Sequence, residues 1–146
     1  MTTDWLLRVG DGENFKNSSK YKIWGIEPKT TKYFKENVKR DDRLWFVKSK
    51  SNGKLLAVAT YISHNRRQLG PLIDVSLNNT ILGWTGNNTN WDTEIHYTDL
   101  YGLNEYNLFT KIKGPLTIRK YNEKCKINLA LEYNYIKRYC KITCEL

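Results

Sequence analysis

Residues 41–62, DDRLWFVKSKSNGKLLAVATYI, constrain the fold more than any other stretch. Two apolar runs, rich in aromatic and β-branched residues, flank a short polar link. That link contains Asn52-Gly53, a pair that tolerates the positive φ of a tight turn. Two strands of a hairpin are therefore expected, from DDRLWFVKSK and from LLAVATYIS. Other segments must add strands and covering helices around it.

The remaining chain supplies candidates for both. DWLLRV reads as a first strand, and GDGENFKNSSK as loop by its Gly, Asn and Ser content. EPKTTKYFKENVKR reads as a helix, with Pro28 in its first turn and Tyr33, Phe34 and Val38 on one side. HNRRQLGP reads as loop, LIDVSL as a short strand or a helix start, and GWTGNNTNWD as a polar loop with two tryptophans. TEIHYTDLYGL alternates like a strand, NEYNLFTKIKG is ambiguous, and PLTIRKYN reads as extended. In NLALEYNYIKRYC, Leu129, Tyr133, Ile136 and Cys140 recur at helical spacing, with Asn128 as N-cap; alternation at Ile127, Leu129, Leu131 and Tyr133 keeps a strand open. The expected class is α+β: a small curved β-sheet or β-barrel surrounded by short helices. At 146 residues one domain is expected.

Composition narrows the function. No run of about eighteen apolar residues exists to span a membrane, and MTTDWLLRVG lacks the features of a signal peptide, so an intracellular location is expected. The three cysteines, Cys125, Cys140 and Cys144, are odd in number and read as small buried hydrophobes rather than a disulfide framework. The net charge of +9 is unevenly distributed. Residues 16–54 carry twelve basic and four acidic side chains, residues 68–110 five acidic and no Lys or Arg, and residues 111–146 nine basic and three acidic. Such a field favours polyanions; a lysine-rich solubilising surface is the bland alternative.

Catalytic motifs are missing. There is no nucleophile elbow, no zinc-protease helix and no P-loop. His64 and His96 are far apart in sequence, and Asp41-Asp42 reads as a helix end leading into a strand. No catalytic residue, metal or cofactor is expected.

The five tryptophans carry more information. Trp5 and Trp45 lie in apolar strands and read as core. Trp24, Trp84 and Trp91 sit beside Gly, Asn or Thr, in or near loops. Rings presented this way suit stacking on a flipped or single-stranded base; pinning loops to the core is the alternative. Asn14 and Asn17 could read a base edge, since an amide both donates and accepts.

Residues 4–62, DWLLRVGDGENFKNSSKYKIWGI followed by a basic helical segment and the hairpin, resemble the EVE-like and YTH-like members of the PUA-like superfamily. TEIHYTDLYGL resembles a later strand of EVE-like domains. The resemblance implies a curved sheet or barrel that reads a nucleic-acid base, often a modified one, in an aromatic pocket. It implies Trp24 as the first cage wall, Gly25 presenting backbone to the base, and Asn14 at the base edge. Trp84 and Trp91 are candidates for the remaining walls. Lys29, Lys32, Lys35, Lys39, Arg40, Arg66 and Arg67 would then hold phosphates. The favoured function is a non-catalytic module binding RNA or DNA. A protein–protein adaptor using exposed Trp and Tyr anchors, and an enzyme acting on a nucleobase, stay open as alternatives.

Overall fold

The computed structural model describes residues 2–27, 31–48, 53–67, 77–85, 91–103, 118–120 and 129–146. Its centre is a curled six-stranded sheet. The strands are β1 (Asp4–Arg8), β2 (Ile23–Ile26), β3 (Arg43–Val47), β4 (Leu55–Arg66), β5 (Thr93–Gly102) and β6 (Ile118–Lys120), ordered β2-β5-β4-β3-β1-β6. β1 and β3 run parallel, and the other neighbours are antiparallel. The expected hairpin is β3 and β4, with Gly53 at φ +77°; Asn52 lies outside the described residues. Register shifts in the β3–β4 and β4–β5 pairings bend the long fourth strand.

Strand alternation divides the apolar residues between two faces. Trp5 and Leu7, Leu44 and Phe46, and Ala57, Ala59 and Tyr61 face one side, with Trp24, Ile95 and Tyr97. Leu6, Trp45, Val58 and Tyr101 face the other. Helices α1 (Glu13–Ser18), α2 (Lys32–Asn37) and α3 (Asn79–Leu82) send Phe15, Phe34 and Leu82 into the first core. Helix α4 (Leu129–Tyr139) covers the second with Leu129 and Ile136. Trp5 and Trp45 are both core, as their strand neighbours imply.

Several local expectations need correction. The segment read as loop contains α1 and a 3-10 turn, Ser19–Tyr21. The helix expected over EPKTTKYFKENVKR is only six residues long; Phe34 is buried, Val38 is half-buried and Tyr33 is exposed. β4 continues through His64, Asn65 and Arg66, where a loop was expected. Cys140 is half-buried and Cys144 exposed, so neither is a fully buried hydrophobe; Cys125 lies outside the described residues, as do Pro28 and Asn128.

Asp41-Asp42 does join α2 to β3. The buried Asp42 carboxylate accepts from the Thr3 and Lys39 backbone N–H groups, each at 2.9 Å, and from Trp5 Nε1 at 3.0 Å. One side chain thereby ties the β1 start, the α2 exit and a core indole together. Nearby, the Tyr61 hydroxyl lies 2.6 Å from His64 Nδ1. Burial pushes the Tyr61 phenol up to about 12, so it keeps its proton and donates to a neutral imidazole. Burial, and secondly the charge of Lys35, lowers His64 below its ordinary 6.5. The unfolded chain therefore takes up a proton near pH 6.5 that the folded chain refuses. Stability is expected to fall as pH drops through that value and to level off below the folded-state pKa. Denaturant melts at pH 7.5 and 5.5 check this, with His64→Gln expected to show a smaller fall than the parent chain.

Candidate functional site

The site is assembled by α1. Its chain turns into the helix at Gly12, at φ +92°, where a Cβ would sit 2.8 Å from Leu56 Cδ1. Phe15 then packs edge-on against Phe46 at 4.1 Å and near Trp24 at 5.8 Å, which fixes the helix on the core. Asn14 and Asn17, one turn apart, reach the segment after α3. Asn14 Nδ2 donates to the Thr85 carbonyl at 2.8 Å, and its Oδ1 accepts from the Thr85 N–H at 3.0 Å. Asn17 Nδ2 donates to the Gly83 carbonyl at 2.9 Å. Asn78 starts α3 by accepting from Ile81 N, and Gly83 ends it at φ +73°. Trp84 is thus presented from a segment held at both ends.

Gly25 makes room for it. All four residues of β2 are buried, and a Cβ on Gly25 would lie 2.8 Å from Trp84 Cη2 and Cζ3 and 3.0 Å from Trp91 Cβ. Trp24, Trp84 and Trp91 form a chain of edge-to-face rings, with centroids 5.8 and 5.5 Å apart. Beside them opens a cavity of about 250 Å³, whose walls include Asn14, Trp24, Gly25, Thr85 and Trp91. Trp84 does not line it but backs Gly25. The Trp24 and Trp84 indole N–H groups are buried with no partner among the described residues. Each such donor demands an account, since leaving one open costs about 1–3 kcal/mol. Among the described residues, the charged groups lining it are Asp11, Glu13, Glu27 and Arg8.

Arg67 fixes the far side. It is only 6% exposed, and its guanidinium lies 4.9 Å over the Trp84 ring. It donates to Asn79 Oδ1 at 2.7 Å, to the Leu77 carbonyl at 2.8 Å and to the Trp91 carbonyl at 3.1 Å. Burial lowers its pKa, and the nearby Glu94 opposes that shift.

Comparisons with known proteins bear on the fold. The YTH domain of Zygosaccharomyces rouxii MRB1 protein, solved in complex with N6-methyladenosine RNA, superposes with TM-score 0.53 at 12% identity, over 99% of this chain and 92% of that one. The likeness shows a shared fold. A Pseudomonas syringae protein (TM-score 0.49, 14% identity, 90% of this chain and 98% of that one) and an ASCH protein of Zymomonas mobilis (0.49, 8%, 94% and 96%) are also similar. No protein-family model and no curated protein matches the sequence.

On this scaffold the expected site residues separate into groups. Trp24, Gly25, Asn14 and Trp91 meet at the cavity, with Trp84 directly behind. Asn14 is partly committed: one N–H holds the Thr85 carbonyl, and its Oδ1 accepts from the Thr85 N–H and, at 3.5 Å, from the Thr85 hydroxyl, so it positions the wall as well as facing the cavity. Arg67 is a correction. It was expected to hold phosphate, but its Nη atoms are occupied internally and the residue is buried. Lys32, Lys39, Arg40 and Arg66 are exposed, and Lys35 is half-buried beside His64; none lines the cavity. Lys32 also lies 3.8 Å from Glu36. Lys29 is outside the described residues. The α1 clasp, the Arg67 brace and the charged wall residues were not read from sequence. Asn14 and Asn17, spaced i and i+3, were the available signal for the clasp.

Proposed function

We propose that this chain is a non-catalytic nucleic-acid-binding module that takes one base into the cavity beside Trp24. The observation that supports this best is an open cavity walled by indoles and reached by a glycine backbone in a basic chain. At about 250 Å³ it falls just below the size of ordinary drug-sized ligand sites, about 300–1,000 Å³, and suits a flat heterocycle. The structural likeness to a YTH domain bound to N6-methyladenosine RNA agrees in kind, and makes RNA with a modified base the first probe. Exposed Lys and Arg around the scaffold would hold phosphates without reading sequence.

Stacking on one aromatic ring contributes about 1–3 kcal/mol per base. Trp24→Ala is therefore expected to weaken binding of a single-stranded N6-methyladenosine RNA by roughly 5- to 150-fold. Anisotropy titrations at two salt concentrations measure this, with circular dichroism confirming the fold. Unchanged affinity in a folded variant would remove the proposal. The adaptor alternative rests elsewhere: Leu131, Tyr135, Tyr139 and Ile142 are exposed along α4 and its extension, on the opposite sheet face. A Trp24 variant leaves that surface intact, so the same experiment separates the two.

A further inference from the structure

Trp24 stands on β2, an edge strand of only four residues that pairs with β5 over Thr93–His96. Few ladder bonds hold so short an edge strand, so its entry must be fixed by other means. That entry is Lys22. Its φ of +58° is one that residues with a Cβ rarely adopt, and hydrogen bonds converge on it. Its N–H donates to the Ser19 carbonyl at 3.1 Å, and its carbonyl accepts from the Tyr97 N–H at 3.2 Å. Its ammonium donates to the same Ser19 carbonyl at 2.9 Å and to the Cys144 carbonyl. The last bond ties β2 to the segment that follows α4. Thr143 N in that segment donates to the Leu100 carbonyl of β5 at 2.8 Å, beyond the stretch that β2 pairs. Leu146 N donates to the Oγ of buried Ser19 at 2.9 Å, and its side chain lies over Gly102, where a Cβ would sit 3.0 Å from Leu146 Cδ2. Leu146 packs on the first core, whereas α4 covers the second. Residues 143–146 therefore pass from one face of the sheet to the other and dock on the turn that leads into Trp24.

We infer that residues 143–146 are a strap that sets the position of Trp24 in the cavity wall, with Lys22 as the positioning residue for ligand binding. This deepens the base-binding reading above and rests on it for the ligand, though not for the strap. Lys22 and residues 143–146 are not among the residues lining the cavity, so they act through β2. Lys22 stands two residues before Trp24, whose ring is set against Phe15 and Trp84 at 5.8 Å each. All four β2 residues are buried, and a close-packed interior transmits a shift at the strand entry to the residues that follow. The positive φ costs the same for any unbranched side chain. Exchanging Lys22 for Met or Arg therefore changes only what the end of the side chain can donate.

The test compares the full chain with Lys22→Met, Lys22→Arg and a chain lacking residues 143–146, by amide hydrogen exchange and by titration with the N6-methyladenosine RNA. In Lys22→Met, exchange at the β2 amides and at Tyr97 is expected to quicken about tenfold, while β1, β3 and β4 keep the parent rates. RNA affinity is expected to fall about fivefold. Lys22→Arg keeps a charged donor and should restore both. Removing residues 143–146 should repeat the Lys22→Met pattern, and RNA bound to the parent chain should slow exchange at the Thr143 and Leu146 amides. Should the shortened chain fail to fold, Lys22→Met decides. Unchanged β2 exchange in Lys22→Met overturns the inference. Equal quickening in every strand also overturns it, by making the segment a support of overall stability alone. So does a loosened β2 with unchanged RNA affinity, where Trp24→Ala weakens binding. If Trp24→Ala leaves the affinity unchanged, the base-binding reading fails, and the exchange pattern still decides whether the strap holds β2.

Discussion

Arg67→Ala is expected to destabilise the chain by about 3–5 kcal/mol and to abolish measurable ligand binding. The expectation comes from what the guanidinium does. It is buried, lies over Trp84, and satisfies the Leu77 and Trp91 carbonyls together with Asn79 Oδ1. Hydrogen bonds from a charged donor contribute about 1.5–3 kcal/mol each, though not additively. Alanine strands all three acceptors and leaves a void the size of the side chain. Lysine is no substitute, because one ammonium on a flexible stem cannot reach three acceptors in a plane while covering an indole face. Arg67→Lys should therefore recover only part of the loss. Denaturant melts give the stability change, and tryptophan fluorescence reports whether Trp84 and Trp91 have come loose. A variant within about 0.5 kcal/mol of the parent would show that the brace is dispensable.

The same residue shows where sequence reading runs out. Arg66 and Arg67 are adjacent and chemically identical, yet one is exposed and the other buried. Strand parity would normally tell them apart, but β4 shifts register at Val58/Thr60 and again at Tyr61/Ser63, so alternation counted from the hairpin no longer holds at its far end. The hairpin was legible because its apolar residues alternate cleanly between two cores, Leu44 and Phe46 against Trp45 and Val47. α1 was not legible, because ENFKNS has loop composition; Phe15 in the core and the Asn14 and Asn17 bonds supply the helix from outside. The cavity was half legible. Trp24, Gly25 and Trp91 stand out as residue types in loop-like settings, whereas Asp11, Glu13 and Glu27 become its walls only once α1 and the end of β2 are brought together. The lysines of the basic helical segment were legible as a run of like charge, whereas whether they line the cavity is set by the fold, and Lys32, Lys35 and Lys39 do not.

Gly25→Ala is expected to cost about 1–3 kcal/mol and to weaken ligand binding at least tenfold. Two effects oppose each other here. Gly25 lies in a strand at a backbone conformation that any residue can adopt, so alanine there would ordinarily stabilise by about 0.4–1 kcal/mol through the unfolded chain. Against this, the new methyl would meet Trp84 Cη2 and Cζ3 at 2.8 Å and Trp91 Cβ at 3.0 Å. Neither neighbour is the end of a flexible chain. The Trp84 indole is boxed by Trp24, Trp91 and the Arg67 guanidinium at 5.8, 5.5 and 4.9 Å, so it cannot swing aside without breaking those contacts. The steric term therefore wins. A second substitution checks the cause: Trp84→Phe removes the outer ring atoms that the methyl would strike. The two changes together should then cost clearly less than the sum of the two alone, a coupling read from a double-mutant cycle of denaturant melts. Strict additivity would mean that the glycine is kept for some reason other than the indole packed against it.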